Sequence, residues 1–154
     1  MQDSPAQVII RDATPADIDQ LCALLGLLFA QEEDFSPDPD RQARALRMIF
    51  DQPHAGRIFC AADRDRVVGM VCILFSVSTA EGGPDARLED FIIHPGYRRQ
   101  GIGERLLDEV FRRAREAGCA RLTLLTDHTN ESAIRFYRRA GFLPSRMIPF
   151  RISL

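Results

Sequence analysis

The stretch from Leu88 to Gly118 narrows the possible folds more than any other part of the chain. An apolar run, Leu88 to Ile93, is stopped by His94-Pro95-Gly96, and the basic string Arg98-Arg99-Gln100-Gly101-Ile102-Gly103 follows. Beyond it Ile102, Leu106, Leu107, Val110 and Ala114 recur at helical spacing until Gly118, with a charged outer face. A strand, a glycine turn and an amphipathic helix are predicted in that order. Two glycines let the backbone approach a ligand closely and take positive φ. The first N–H groups of a helix have no partner within it, and the dipole is positive at that end. A diphosphate is the natural guest of such a turn, with Arg98 and Arg99 adding charge. The plain alternative is a tight turn that merely starts a helix. The string is not a Walker A loop, because no Gly-Lys-Ser/Thr follows. Only two of its glycines fit the dinucleotide fingerprint, and no strand-borne acid follows at the expected distance.

The other elements follow from spacing. Residues 1–6 read as a loose tail and Val8 to Arg11 as a short strand. Thr14 can cap a helix, Pro15 suits its first position, and Asp17 falls in the first turn, where the dipole favours a carboxylate. Ile18, Leu21, Leu24, Leu25 and Leu28 continue that helix at the right period. Ser36-Pro37-Asp38-Pro39 breaks the chain before a second helix over 40–51. Strands are predicted over 58–62 and 67–77, with a turn at 63–66 and a polar loop over 81–85. A strand over Leu122 to Thr126, a helix over Asn130 to Ala140 ended by Gly141, and terminal strands at Phe142-Leu143 and Met147 to Ile152 complete the order. This is a mixed α/β pattern rather than strict βαβ alternation, which disfavours a doubly wound sheet.

Bulk properties narrow the function. A length of 154 residues suits one domain, here expected over 7–154. A formal net charge of -2 argues against a nucleic-acid partner. Cys22, Cys60, Cys72 and Cys119 are scattered, with no CxxC pair and no His at ligand spacing, so neither a disulfide framework nor a metal site is expected. No run approaches the ~20 apolar residues of a membrane span, and the start has neither basic nor apolar signal-peptide regions. A reduced, cytoplasmic protein is the expectation.

With those residues in view, the chain resembles the GNAT N-acetyltransferase superfamily. Leu88 to Gly103 is similar to the family's fourth strand, pyrophosphate loop and third helix. Thr126 to Phe142, ending in Phe136-Tyr137 and then Gly141-Phe142, is similar to its second signature, at the usual separation. Leu88-Glu89-Asp90 and the Asn130-to-Tyr137 spacing resemble the diamine and polyamine acetyltransferases. The resemblance implies a mostly antiparallel mixed sheet, splayed between strands 4 and 5 and flanked by helices. It implies acetyl-CoA as co-substrate without a metal, and a small-molecule primary amine as acceptor.

Site residues follow from the same resemblance. Arg98, Arg99, Gln100, Gly101, Ile102, Gly103 and Glu104 would hold the diphosphate. Backbone N–H groups of Ile93, or of Ile92 or Phe91, would bind pantetheine and the oxyanion. Tyr137 would be the general acid at the thioester sulfur, since a phenol of pKa near 10 can protonate a thiolate. Its bland alternative is packing beside Phe136. Glu89 would be the base, through water or by attracting a cation. Strand alternation points Asp90 to the opposite face unless a bulge intervenes. Asn130 fits both a helix N-cap and a cofactor contact. The acidic run Gln31-Glu32-Glu33-Asp34 suits a cationic acceptor or is a solvated helix end. A protein or peptide acceptor, and a non-catalytic acyl-CoA-binding domain, are the competing functions. The apolar terminal segment Met147 to Ile152 leads to the expectation of a homodimer.

Overall fold

The computed structural model describes residues 7–32 and 34–154. The tail expected over 1–6 and Glu33 of the acidic run lie outside the described residues. Strand β1 (Val8–Asp12) leads through a one-turn 3-10 helix into α1 (Ile18–Phe29), and α2 (Pro39–Asp51) follows. Then come β2 (Gly56–Asp63), β3 (Arg66–Ser78), β4 (Gly83–Ile93), α3 (Ile102–Glu116), β5 (Leu122–Leu124) and α4 (Glu131–Arg139). The sheet runs β1-β2-β3-β4-β5, antiparallel throughout except for the parallel pair β4–β5. This is the mixed, helix-flanked sheet expected from the sequence.

Alternation along the strands splits the core in two. Phe59, Ala61, Val68, Val71, Ile73 and Leu88 pack against the apolar stripe of α3, Ile102, Leu106, Leu107 and Val110. On the other face Ile58, Cys60, Met70 and Cys72 pack against Leu21, Leu24, Leu25 and Leu46 of α1 and α2. Gly101 in the left-handed region starts α3, and Gly118 and Gly141 close the ends of α3 and α4 in the same region.

Three boundaries differ from the sequence reading. β4 begins at Gly83 and absorbs most of the expected loop, because Ser78, Val77 and Ser76 pair with Gly83, Pro84 and Asp85. β5 stops at Leu124 rather than Thr126, where its ladder with Leu88 ends. The terminal strands at Phe142-Leu143 and Met147 to Ile152 do not form. After Gly141 the chain carries Leu143, Met147, Ile148, Phe150 and Ile152 into solvent. Arg151 reaches Asp34 at 3.7 Å and lies over the Phe35 ring, so this segment crosses the α1–α2 connection instead of extending the sheet.

The start of α1 is fastened to β1. Arg11 Nη1 and Nη2 donate to the two oxygens of buried Asp17 at 2.8 and 2.9 Å, and the Thr14 N–H donates to Asp17 Oδ2 at 2.8 Å. These donors hold the Asp17 carboxyl down at about 2, against an ordinary 3.8. The folded value is the depressed one, so the stabilisation is complete above pH ~4 and is lost as pH falls towards 2. Asp17→Asn is expected to cost about 2 kcal/mol at pH 7 in denaturant unfolding, with the deficit shrinking near pH 2. A deficit that does not change between those two pH values would contradict the ion-pair account.

Candidate active site

β4 leaves β5 at mid-strand. The parallel ladder joins Ala86, Arg87 and Leu88 to Leu122, Thr123 and Leu124, and from Glu89 onwards β4 has no strand partner on that side among the described residues. At the same place β4 bulges against β3: Cys72 pairs with Glu89 and Met70 with Ile92, so two steps on β3 span three on β4. Asp90 takes up the extra residue with φ +52, a left-handed conformation in a strand interior. Leu88 and Phe91 therefore both face α3, although simple alternation would put them on opposite faces. Ile92 is turned to the α1 face and is buried there. The His94 N–H donates to Val68 O on β3 at 2.8 Å. By alternation the Ile92 N–H also faces β3, and those of Ile93 and Phe91 face the gap towards β5.

The glycine string lies at the wide end of that gap. Arg99 and Gly101 have φ of +61 and +73. Arg98 Nε donates to Ile93 O at 3.1 Å, tying the string to the end of β4, and Gln100 Nε2 donates to Gly96 O at 3.5 Å. Arg98, Arg99, Gln100 and Gly101 are exposed, whereas Ile102 is buried as the first residue of the α3 stripe. A Cβ on Gly101 would meet no atom within 4 Å, so open space lies over the helix start. At Gly103 a Cβ would stand 3.4 Å from the Phe136 ring, so this glycine lets α4 come close. Glu104 is exposed and lines, with Phe111, Phe136 and Arg139, a groove of about 180 Å³ between α3 and α4.

α4 brings the phenol. Asn130 Oδ1 accepts from the Ala133 N–H at 3.1 Å, so Asn130 is the N-cap of α4. Tyr137 sits edge-on to Phe91, Phe136 and Phe142, with ring centroids 6.1, 5.4 and 5.7 Å away. Burial in this aromatic cage pushes its phenol up to about 12.

Carboxylates gather on the other face. Cys72, opposite Glu89, belongs to the α1 side of the core, so Glu89 faces α1. The bulge brings Asp90 to the same side, with its carboxyl against the Cys72 thiol. Glu89 pairs with Arg87 along the strand. Burial, then the negative charge of Glu89, lift Asp90 to about 6. Glu32, just beyond α1, is also raised, by burial and then by Asp127, Asp34 and Glu89. Asp127 follows β5 and accepts from the Thr129 N–H and hydroxyl, both at 2.7 Å, which hold it below the usual carboxylate range. Glu32, the adjacent Glu89 and Asp90, and Asp127 thus come from three places in the sequence to one side of the gap. Strand alternation alone puts Asp90 on the face opposite Glu89, the resemblance favours Glu89, and the bulge brings both to one face; the acidic character of Gln31 to Asp34 is the visible signal for Glu32. A groove of about 660 Å³ between α1 and α2 is lined by Asp19, Cys22, Arg44 and Arg47 and has none of these residues.

The candidate site is thus a sheet parted beside a glycine-started helix, with the Tyr137 ring packed against Phe91 at the parting. The acetyltransferase (GNAT) family pattern matches residues 22–142, and the chain belongs to that family. It is similar to the thialysine N-epsilon-acetyltransferase of Bos taurus, 37% identical over 145 residues that cover 88% of this chain and 84% of the relative. It is 28% identical to the glucosamine 6-phosphate N-acetyltransferase of Trypanosoma brucei brucei over 87 residues, spanning 56% of this chain and only 57% of that protein. The fold is shared with the crystal structure of a possible acetyltransferase from Clostridium difficile 630 at a TM-score of 0.85 and 17% identity, over 96% of this chain and 97% of that one.

Gly101 is the position where the loop geometry is most exacting. Gly101→Val places a β-branched residue at φ +73 and is expected to cost about 1–2 kcal/mol in chemical denaturation. An unchanged midpoint would mean that the loop relaxes out of the left-handed region.

Proposed function

We propose that the chain is an acetyl-CoA-dependent N-acetyltransferase, with residues 7–154 as one domain, acting by direct attack of a small primary amine on the thioester. The observation that carries this reading is the parting of β4 from β5 between the open start of α3 and the Tyr137 phenol. The α3 start fits a phosphate group on three counts: left-handed Gly101, open space over it, and the unpartnered N–H groups of the first helical turn. The backbone from Arg98 to Glu104 holds the diphosphate in this reading. The N–H groups of Phe91 and Ile93 bind the pantetheine amides and the developing oxyanion, donors of a kind whose loss costs about 10²–10³-fold in rate. Ile92, with its N–H towards β3, serves the sheet instead. Asn130 acts through α4 by capping the helix that carries Tyr137.

Acetyl-CoA supplies an acyl group already activated as a thioester. The amine nitrogen bonds to the carbonyl carbon, the carbon–sulfur bond breaks, and the sulfur leaves with the electron pair. The first ammonium proton goes to the carboxylate pair at the bulge, of which the resemblance names Glu89, and the second is lost to water as the amide forms. At about 12 the Tyr137 phenol stays protonated at neutral pH. A thiol of ordinary pKa near 8.5 is the stronger acid, so the phenol stabilises the departing thiolate chiefly by donating a hydrogen bond. The carboxylates on the α1 side favour a cationic acceptor, in keeping with the thialysine enzyme among the relatives. Four free thiols suit a reducing cytoplasm.

Release of CoA thiol from acetyl-CoA over a panel of diamines, polyamines, amino acids, aminoglycosides and short peptides tests the reading. Turnover on small cationic amines is expected, with kcat roughly 10²-fold lower in Tyr137→Phe and acetyl-CoA affinity retained. Acetyl-CoA binding without turnover on any amine would make the chain a non-catalytic acyl-CoA-binding domain.

A homodimer is part of the proposal. The outer edge of β5 has no strand beside it, and the apolar segment after Gly141 has no strand partner among the described residues. Sedimentation velocity is expected to give a dimer for the full chain and a monomer after removal of residues 147–154; a full-length monomer at micromolar concentration rules the dimer out.

A further inference from the structure

Asp90 is a non-glycine residue held at φ +52 inside a strand. Such a conformation is costly, and it persists only where the surroundings impose it, most often at functional sites. A glycine would relieve the backbone entirely, so the bulge by itself does not ask for an aspartate. Among the described residues its carboxyl makes no ion pair, whereas Glu89 pairs with Arg87. What Asp90 has instead is the Cys72 thiol of β3 on one side, the Glu89 carboxylate of β4 beside it, and the Glu32 carboxylate from the end of α1 across from it. It stands one residue before Phe91, whose N–H faces the gap and whose ring meets Tyr137.

We propose that Asp90, rather than Glu89, is the catalytic base that takes the proton from the acceptor ammonium, while Glu32 and Glu89 draw the cation to the gap. The assignment rests on the acetyltransferase reading. One proton passes from the ammonium nitrogen to an Asp90 carboxyl oxygen, the freed lone pair attacks the thioester carbonyl, the carbon–sulfur bond breaks with the electron pair on sulfur, the nitrogen's second proton goes to water as the amide forms, and Asp90 returns its own proton to water after the amide leaves. Burial and two flanking carboxylates make Asp90 a stronger base than an exposed carboxylate, yet at about 6 it remains mostly ionised at neutral pH. Glu89, half-exposed and paired with Arg87, lacks that combination.

The test is the pH dependence of kcat/KM for a small diamine with acetyl-CoA, in the unmodified chain, Asp90→Asn and Glu89→Gln. Asparagine accepts the left-handed region more readily than most residues, so Asp90→Asn keeps the bulge while removing the acid. The unmodified chain is expected to lose activity about tenfold per unit below pH ~6. Asp90→Asn is expected to lower kcat roughly 10²–10³-fold and abolish that acid limb, with acetyl-CoA affinity unchanged. Glu89→Gln is expected to raise KM for the diamine and keep the limb, moved to lower pH because a negative neighbour of Asp90 is gone. Carboxyl-carbon NMR of the unliganded protein is expected to show Asp90 titrating near 6. An acid limb that survives Asp90→Asn, a limb abolished by Glu89→Gln, or an Asp90 that titrates with ordinary carboxylates overturns the assignment alone. Absence of turnover in the unmodified chain with acetyl-CoA bound overturns the acetyltransferase reading and the base with it.

Discussion

One extra residue in β4 organises the whole site. The bulge at Asp90 shifts the phase of the strand, so that Leu88 and Phe91 share the α3 face and Glu89 and Asp90 share the α1 face. Pairing with β5 ends at Leu88, just before it. Backbone donors that a regular parallel ladder would consume are left facing a gap. A sheet ordinarily hides such groups, because an unpaired buried N–H forfeits about 1–3 kcal/mol. Leaving them open makes sense where a ligand with amide and carbonyl groups completes the pairing.

The two faces of the sheet do different work around that gap. On the α3 and α4 face the surfaces are apolar and aromatic: Phe91 stacks on Phe136 at 5.5 Å, and Tyr137 and Phe142 close the cage. Such rings desolvate the phenol and keep its proton on. On the α1 face carboxylates from just beyond α1, from β4 and from the loop after β5 converge, and burial, then their mutual repulsion, raises Glu32 and Asp90 together. That repulsion is unfavourable to the free protein, and a cation bound there, such as the acceptor of the proposed function, would relieve it.

Elements far from the gap hold this arrangement. The Arg11–Asp17 pair fixes where α1 begins, and the apolar face of α1 against Met70 and Cys72 fixes its direction. Glu32 is delivered at the far end. The terminal segment meets the same region, because Arg151 contacts Asp34 and Phe35 just beyond α1. A change in how that segment is partnered therefore acts close to the acidic side of the gap.

The sequence by itself determined the elements whose cause is local. Thr14-Pro15 and Asn130 as helix starts, the apolar stripe of α3, the left-handed glycine before it and the closing glycines are all written in spacing and residue type. Tyr137 and the Arg98-to-Gly103 string were legible as well, through two separated motifs. Tertiary structure decided what depends on pairing between distant segments. β4 extends back to Gly83 because β3 is long enough to pair with it, and the terminal strands fail because the chain leaves the sheet after Gly141. The bulge exists only in the register between β3 and β4, so no pattern within residues 88–93 could reveal that Asp90 turns to the same face as Glu89. Local propensity fixes which segments become helix or strand. Register fixes which face each side chain occupies, and a slip of one residue reverses it.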